Sequence, residues 1–328
     1  MISPPDIHTT LAIALLALVM ERFIGYPRLL QRTLRHPVQW MGAMIGWLDA
    51  RFNRLHWPNG ARRLAGAAGM LALILLWGTA AALLALWLPW WAQALIATTL
   101  LAQKSLKEHF QAIISALPAS ADSDLRKARE ALSMIVGRDT ASFDESRIAH
   151  AAIESLAENA SDGIIAPLFW LLVAGLPGIV IYKLVNTADS MIGHMSARHR
   201  HFGWLAARLD DVLNFIPARL TGLLYAATAA LSHGGKAGRR ALITMWRDAR
   251  KHVSPNAGWP EAAMAGALHI RLGGPRSYQG RVVNFAWLGD GRARLSRADM
   301  HAALTLHEHM LWLATAALAL ITTVTWLM

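Results

Sequence analysis

Between residues 154 and 219, clusters of charged and amide side chains alternate with apolar runs. The clusters lie at residues 154 to 162, 183 to 194 and 208 to 219. A segment in lipid must satisfy its backbone polar groups internally, so only helices and closed barrels can span a membrane. Ionisable groups beside membrane spans are usually functional, although a solvated helix face is the alternative for any one cluster. This stretch therefore favours helices whose polar residues line a site inside the protein.

Helical periodicity places the members of each cluster on one helix face. At 100° per residue, one arc of roughly 100° contains the following residues of the first cluster: Glu154, Glu158, Ser161 and Asp162. An arc of about 120° contains the corresponding residues of the second cluster: Lys183, Asn186, Asp189, Ser190 and Gly193. Two glutamates at i,i+4 repel each other, so we expect a cation or a substrate amine between the carboxylates.

The composition predicts an all-α, polytopic integral membrane protein. Hydrophobic residues make up 55% of the 328 residues and charged residues only 16%, against about 25% in a typical soluble domain. The chain has no cysteine, which excludes a disulfide framework, a thiolate nucleophile and a zinc–cysteine site. The net charge of +11 comes from loops between apolar runs. It indicates anionic lipid headgroups and phosphorylated substrates, and not nucleic acid, as partners.

The apolar runs predict one membrane-embedded catalytic domain that covers residues 1–328. The predicted spans are 7–24, 64–88, 90–104, 164–192, 212–231 and 310–328. Pro89 predicts a tight reversal between two of them, and we expect the helix of span 90–104 to continue into residues 104–108. Span 164–192 is interrupted by Ala-Gly-Leu-Pro-Gly at 174–178, which favours a broken or re-entrant helix.

The distribution of basic residues predicts the orientation in the membrane. Eight Lys and Arg residues lie between residues 22 and 63, and twelve lie between 232 and 307. The positive-inside rule places both segments in the cytoplasm. A hairpin at 164–192 followed by a crossing at 212–231 would put the second segment outside, so the exact path of residues 164–231 stays open.

Nine segments resemble one known family, in order and over most of the chain. They are Gly137–Thr140, Glu154–Gly163, Ala166–Phe169, Tyr182–Gly193, Phe202–Trp204, Ala207–Asp211, Pro217–Arg219, Ser254–Glu261 and Leu272–Gly274. On these segments the chain is similar to the adenosylcobinamide-phosphate synthase family of cobalamin biosynthesis. The match is weakest in the N-terminal third of the chain.

The resemblance implies a ligase of the cell inner membrane whose active site faces the cytoplasm. Such an enzyme uses ATP and Mg²⁺ to join adenosylcobyric acid, a cobalt corrinoid, to (R)-1-amino-2-propanol O-phosphate or to aminopropanol. The new amide bond gives adenosylcobinamide phosphate. The expected partners are the corrinoid, the aminoalcohol or its phosphate, membrane lipids and other cobalamin-assembly enzymes.

This chemistry assigns expected roles to the polar residues. Proton transfer and phosphoryl activation need carboxylates, a base and a fixed cation, and the catalytic candidates are Glu154, Glu158, Lys183, Asp189 and His194. Mg²⁺ usually takes one or two carboxylates together with phosphates and water, and the metal candidates are Asp162, Asp210 and Asp211. The substrate-binding candidates are Arg138, Asn159, Asn186, Ser190, Arg208, Arg219, Asn256, Trp259 and Glu261. No Gly-x-x-x-x-Gly-Lys-Ser/Thr motif is present, so the ATP site is not a P-loop.

The segment Ser254–Glu261 predicts a rigid turn. Pro255 and Pro260 restrict two backbone angles, and Gly258 permits a sharp bend between them. Such a turn could present Asn256, Trp259 and Glu261 to a flat corrin or adenine ring. The alternative is a helix N-terminus with Pro260 at its first position. We expect this segment and the three polar clusters to converge on one cavity at the cytoplasmic membrane edge.

Three other functions fit parts of the sequence. Broken helices and intramembrane carboxylates also build transporters, here for a corrinoid or another anion. A CDP-alcohol phosphotransferase also uses carboxylates on helices. That class has Ala-Arg after its Asp-Gly pair, whereas Asp162-Gly163 precedes Ile-Ile-Ala-Pro. A structural scaffold for neighbouring corrin enzymes would not need three ionisable clusters.

Overall fold

The computed structural model describes residues 6–27, 33, 35–118, 124–137, 139–278, 281–283 and 285–328. The protein is 76% helical, which confirms the predominantly α-helical prediction. The helices are α1 (Ile7–Phe23), α2 (Pro37–Phe52), α3 (Asn59–Trp87), α4 (Trp90–Thr98), α5 (Gln103–Ala116), α6 (Arg126–Ser133), α7 (Glu145–Ala160), α8 (Ala166–Ile192), α9 (Trp204–Leu213), α10 (Phe215–His233), α11 (Gly235–Asp248), α12 (Gly258–Leu268) and α13 (Arg297–Leu327). A π-helical turn, Ser161–Ile165, follows α7, and a 3₁₀ turn, Ala249–Lys251, follows α11.

The chain divides into two compact units. Unit 1 comprises Met1–Ala102, Ala166–Asn214 and Leu318–Met328, and unit 2 comprises Gln103–Ile165 and Phe215–Ala317. In the described part of the chain, three helical stretches are long and apolar enough to cross a membrane, namely Asn59–Trp87, Glu145–Ile192 and Arg297–Leu327. They contain or closely match the predicted spans 64–88, 164–192 and 310–328. The spans at 7–24 and 212–231 stay predictions.

Unit 1 is built on α8, against which α2, α3 and α9 pack. Small residues allow the close approach. A Cβ at Gly78 of α3 would lie 3.1 Å from the Cδ1 atom of Ile181, and one at Gly42 of α2 would lie 3.3 Å from the sulfur of Met191. Small residues are the usual contact surface between membrane helices, because they let the backbones approach each other closely. The glycines in these apolar runs therefore fix how the unit packs.

Helix α8 is interrupted where the sequence predicts a break. Ala174 and Gly175 have non-helical backbone angles, and Gly175 has a φ of 61°. Pro177 lacks an N–H, so the helical bonding cannot continue through this turn. The break is thus a feature of the structure, while the re-entrant path through a membrane stays a prediction.

The expected continuation of one helix from span 90–104 into residues 104–108 is wrong, while the span itself stays a prediction. Helix α4 ends at Thr98, and α5 begins only at Gln103. The hydroxyl groups of Thr98 and Thr99 donate to the carbonyls of Ala94 and Ile96, at 2.8 and 2.7 Å. Such side-chain bonds compete with regular helical bonding. A nine-residue helix rises about 14 Å, less than half of a hydrocarbon core.

Unit 2 contains a packed trio of helices, α10, α11 and α12, with α7 against α12. Four short strands, which the all-α prediction did not include, occur in the described part of this unit. Strand β1 (Leu272–Gly273) pairs antiparallel with β4 (Trp287–Leu288), and β2 (Arg276–Tyr278) pairs with β3 (Arg281–Val283). His269 ends α12 in the left-handed conformation, with a φ of 54°, and the strands follow. The basic segment 232–307 is therefore a folded part of unit 2.

A buried carboxylate at Asp248 joins the end of α11 to the loop after β4. Asp248 is 1% exposed. It accepts hydrogen bonds from Arg247, Lys251 and the Gly289 N–H at 2.7, 2.6 and 2.9 Å. Burial alone would raise the pKa of this carboxyl. Arg247 also donates through Nε at 2.9 Å, and the hydrogen bonds from these three residues outweigh burial and lower the pKa of Asp248 to about 2.

We predict that Asp248→Asn destabilises unit 2 by about 2 kcal/mol at pH 7, because it weakens the hydrogen bonds that the charged side chains of Arg247 and Lys251 donate. The pKa of Asp248 is lower in the folded protein than the ordinary value of 3.8, so the ionised carboxylate stabilises the fold above pH 3.8. This stabilisation is lost as the pH falls towards 2. The difference from the unchanged protein should therefore shrink between pH 5 and pH 2. Thermal unfolding of the purified protein in detergent measures it.

The matched control is Asp290→Asn, which removes a 58% exposed carboxylate that also pairs with Arg247. An exposed ion pair contributes little, so we expect a change below about 1 kcal/mol. Equal stability of Asp248→Asn and the unchanged protein at pH 7 would contradict the role of Asp248.

Candidate functional site

The polar residues of unit 1 form a hydrogen-bonded chain between α8 and α9. Asn186 donates to Oδ1 of Asp210 at 3.2 Å, and Asn214 donates to Oδ2 of the same carboxylate at 3.0 Å. The hydroxyl of Tyr182 donates to Oδ1 of Asn214 at 2.9 Å. Both oxygens of Asp210 are thus held by amide groups, and Tyr182 orients one of these amides.

The carboxylates of unit 1 influence one another. Burial, followed by the negative charge of Asp189, raises the pKa of Asp210 to about 6, although the two asparagines oppose the shift. Asp211 adds a smaller contribution in the same direction and pairs with Arg208 at 3.2 Å. Two close carboxylates favour a proton or a cation between them. Asp189 and Asp211 therefore lie within electrostatic range of Asp210, and the joint role of the three carboxylates stays a prediction.

A magnesium ion fits the Asp189–Asp210 pair by ligand type. Among the residues that the structure describes, no three His, Asp or Glu side chains form a group that could hold a metal. Mg²⁺ does not need such a group, since it usually keeps several waters and binds one or two carboxylates together with phosphates. The assignment of Asp162, Asp210 and Asp211 as metal ligands stays a prediction.

Gly193 provides space for the Asp189 side chain. A Cβ at this position would lie 1.9 Å from Oδ1 of Asp189. Two other candidates lie nearby in the sequence. Ser190 donates to the carbonyl of Asn186 at 2.9 Å, and His194 is exposed just after α8. The predicted roles of Lys183, Ser190 and His194 are untested by this geometry.

The first predicted cluster does not form one continuous helix face. Helix α7 ends at Ala160, and the π-helical turn starts at Ser161. A π turn bonds i to i+5 and so departs from the 3.6-residue period used for the prediction. Glu154 is buried at 3% exposure, while Glu158 is exposed and Asp162 is half-buried. The three carboxylates therefore have different environments.

Two candidates in α7 bind the protein itself. Oε1 of Glu154 accepts a hydrogen bond from the Gly273 N–H at 2.7 Å. The amide of Asn159 donates to the carbonyl and hydroxyl oxygens of Ser155 at 2.8 and 3.1 Å. Glu154 thus fixes the turn that contains Gly273, a positioning role that the sequence pattern did not indicate.

Arg219 of unit 2 is stacked between two aromatic rings. Its guanidinium carbon lies 3.6 Å from the ring centroid of Phe215 and 4.3 Å from that of Trp259. Its Nη1 donates to Oδ1 of Asn256 at 3.2 Å. Arginine combines such stacking with a planar set of donors that suits phosphate and carboxylate groups. The structure therefore brings together the predicted residues Arg219, Asn256 and Trp259.

The segment 254–261 begins a helix, as the alternative interpretation held, but Pro260 is its third residue and not its first. Trp259 is 2% exposed, and its Nε1 donates to the carbonyl of Pro255 at 3.1 Å. It packs edge-to-face on Trp246 with ring centroids 5.0 Å apart. Trp259 is therefore not the exposed plate that the turn was expected to present. It is a buried support for Arg219.

Glu261 is buried too, and it lies beside a histidine that the sequence interpretation missed. Nε2 of His252 lies 3.8 Å from Oε1 of Glu261. Tyr182 and Asn214 were missed as well, although polar residues inside apolar runs could have indicated them. Arg138 lies outside the described residues. The convergence of all four clusters on one cavity involves residues of both units and stays a prediction.

Comparisons with known proteins identify the family. Residues 14–307 match the family model described as "CobD/Cbib protein". The chain is 49% identical over 306 residues to the cobalamin biosynthesis protein CobD of Brucella suis biovar 1, covering 89% of this chain and 90% of the relative. It is 45% identical over 315 residues to that of Rhodobacter capsulatus, covering 94% and 96%. No solved structure matches. On this evidence the chain belongs to the CobD/Cbib protein family.

Proposed function

We propose that the chain acts in cobalamin biosynthesis as an ATP-dependent carbon–nitrogen ligase. It joins adenosylcobyric acid to (R)-1-amino-2-propanol O-phosphate, giving adenosylcobinamide phosphate, or to free aminopropanol. The observation that carries this proposal is the family match over residues 14–307. Relatives named cobalamin biosynthesis proteins along nearly their full lengths support it.

The reaction requires activation of a carboxylate. An oxygen of the corrinoid carboxylate attacks the γ-phosphorus of ATP, which forms an acyl phosphate and releases ADP. The nitrogen of the amine then attacks the acyl carbon, a base accepts the proton, and phosphate leaves. Fixed cations and proton acceptors lower the barriers of such steps.

The polar chain of unit 1 is suited to the phosphoryl chemistry. Asp189 and Asp210 would hold Mg²⁺, which when bound neutralises phosphate charge. Asn186 and Asn214 keep the Asp210 carboxylate in place through both of its oxygens. Lys183 and Arg208 supply the positive charge that a transferring phosphoryl group needs. Glu154, by contrast, has a positioning role, because it binds the Gly273 N–H.

The stacked Arg219 of unit 2 is suited to an anionic substrate group. Two aromatic rings and Asn256 fix its guanidinium plane. A planar guanidinium can bind a phosphate by two parallel hydrogen bonds. We therefore assign Arg219 to the phosphate of the aminoalcohol.

The setting of the reaction is the inner membrane, with the active site facing the cytoplasm. Three helices long and apolar enough to cross a membrane support the membrane location. The twelve Lys and Arg residues of segment 232–307 support the cytoplasmic orientation.

The first prediction of this proposal is amide formation by the purified protein. Detergent-solubilised protein supplied with adenosylcobyric acid, ATP, Mg²⁺ and one candidate amine should yield a product whose mass equals both substrates minus one water. A transporter needs two compartments and would form no such product. Absence of product with every candidate amine would overturn the proposal.

Removal of single carboxylates tests the catalytic assignments. Asp189→Asn and Glu158→Gln should each lower kcat by about 100-fold or more, because a missing ligand or base commonly has that effect. The matched controls are Asp290→Asn and Glu130→Gln, both at exposed positions. Near-normal turnover in both test variants would show that these carboxylates belong to a solvated face.

Arg219→Lys tests the phosphate assignment. Lysine keeps the charge but loses the stacked, planar set of donors. We expect the KM for the phosphorylated amine to rise about tenfold, because one good hydrogen bond to a charged group is lost. The KM for free aminopropanol should stay unchanged. Arg239→Lys, at an exposed position of α11, is the control. An equal rise for both amines would exclude a specific contact with the phosphate.

A further inference from the structure

A cavity of about 270 Å³ lies in unit 2 between the first half of α7 and the β1–β4 strand pair. Its aromatic lining consists of Phe143, His150 and Trp287. The rings of His150 and Trp287 have centroids 5.9 Å apart and planes at 56°. None of these three residues has a role in the chemistry proposed above.

The cavity wall is built by a strained turn that needs two glycines. Gly273 and Gly274 both have left-handed backbone conformations, with φ of 78° and 76°. A Cβ at Gly274 would lie 2.4 Å from the Trp287 ring, so only glycine lets the indole lie over this turn. Glu154 fixes the turn through the Gly273 N–H. The backbone, the buried carboxylate and the indole thus form one preorganised wall.

The polar groups of the cavity complement a flat ring that both donates and accepts hydrogen bonds. Nε2 of His150 lies 2.6 Å from the carbonyl oxygen of Ala293. This oxygen can only accept, so Nε2 donates to it, and Nδ1 is the ring nitrogen left for a ligand. Nδ1 is buried, and no described group bonds it. The hydroxyl of Ser146, which accepts from the Leu295 N–H at 3.0 Å, keeps its own proton for a ligand.

Two exposed arginines lie at the mouth of the cavity and along the groove beside it. The exposed Arg147 belongs to its lining. A groove of about 730 Å³ shares Asp144, Ser146 and Ala293 with the cavity and carries Arg294. Within the described residues, neither Arg147 nor Arg294 has an ion-pair partner. At the same rim, Asp144 accepts from the Arg147 N–H at 2.8 Å and Glu145 accepts from the Arg297 N–H at 3.2 Å, so the guanidinium groups of Arg147 and Arg294 stay available to a ligand.

We infer that this cavity and groove bind a purine nucleotide. The purine ring stacks on Trp287 inside the cavity, and its exocyclic amine donates to Nδ1 of His150. The phosphates extend along the groove to Arg147 and Arg294. The inference rests on the proposed function in one respect, since it identifies the nucleotide as the ATP of the ligase reaction. It supplies a base site to a chain that has no P-loop.

The experiment measures binding of a non-hydrolysable ATP analogue, AMP-PNP, to the purified full-length protein by calorimetry. Trp287→Ala should raise the Kd about tenfold, the loss of one base–aromatic stacking contact. His150→Ala should raise the Kd as well, whereas Trp287→Phe retains a ring and most of the affinity. Inorganic tripolyphosphate, which lacks the base, should bind all variants equally.

The matched controls are Trp87→Ala and His301→Ala, which change exposed residues elsewhere. Photolabelling with 8-azido-ATP should modify peptides within residues 143–154 or 273–287. This readout on the unchanged protein does not depend on the folding of any variant. Unaltered AMP-PNP affinity in both test variants, labelling confined to other peptides, or no binding of AMP-PNP by the unchanged protein would each overturn the inference.

The outcomes also separate this inference from the proposed function. If Trp287→Ala and His150→Ala form the amide with an unchanged KM for ATP, the inferred nucleotide site is wrong and the proposed ligase function still stands. If AMP-PNP binds in the cavity but no amide product forms, the proposed ligase function is wrong and the inferred nucleotide site still stands.

Discussion

A polar side chain buried among apolar helices needs a hydrogen-bond partner, because leaving it unpaired costs more than the bond contributes. Unit 1 meets this requirement through one connected chain. Asp210 is held by Asn186 and Asn214, and Asn214 in turn accepts from Tyr182. The arrangement restricts α8 and α9 to a single register. It also fixes a carboxylate whose pKa is raised by burial and by Asp189, so the same contacts serve stability and chemistry.

Interruptions of regular structure occur beside the candidate residues. The π-helical turn follows Glu158, and the break at Ala174 and Gly175 divides α8. In unit 2, the left-handed pair Gly273–Gly274 is held by Glu154. Strained backbone persists only where its surroundings over-determine it. The buried carboxylate and the packed indole supply that constraint at the glycine pair.

The two units offer different chemistry to the proposed reaction. Unit 1 carries close carboxylates, which suit a cation and phosphoryl groups. Unit 2 carries a stacked arginine and an aromatic cavity with two arginines at its mouth, which suit anionic and ring-containing ligands. An amide ligase that activates its acid with ATP needs both kinds of site. This division gives the family match a chemical basis in particular residues.

Periodicity and composition alone determined the helical class, the break in α8 and the placement of Asn186 and Asp189 on one helix face, because these follow from local spacing and from the cost of burying polar groups. Only the tertiary structure decided which candidate residues contact distant parts of the protein itself. Glu154 faces a backbone N–H from residue 273, and Trp259 supports Arg219 from inside the core. Contacts between residues far apart in sequence have no local signal, so spacing could not separate these roles.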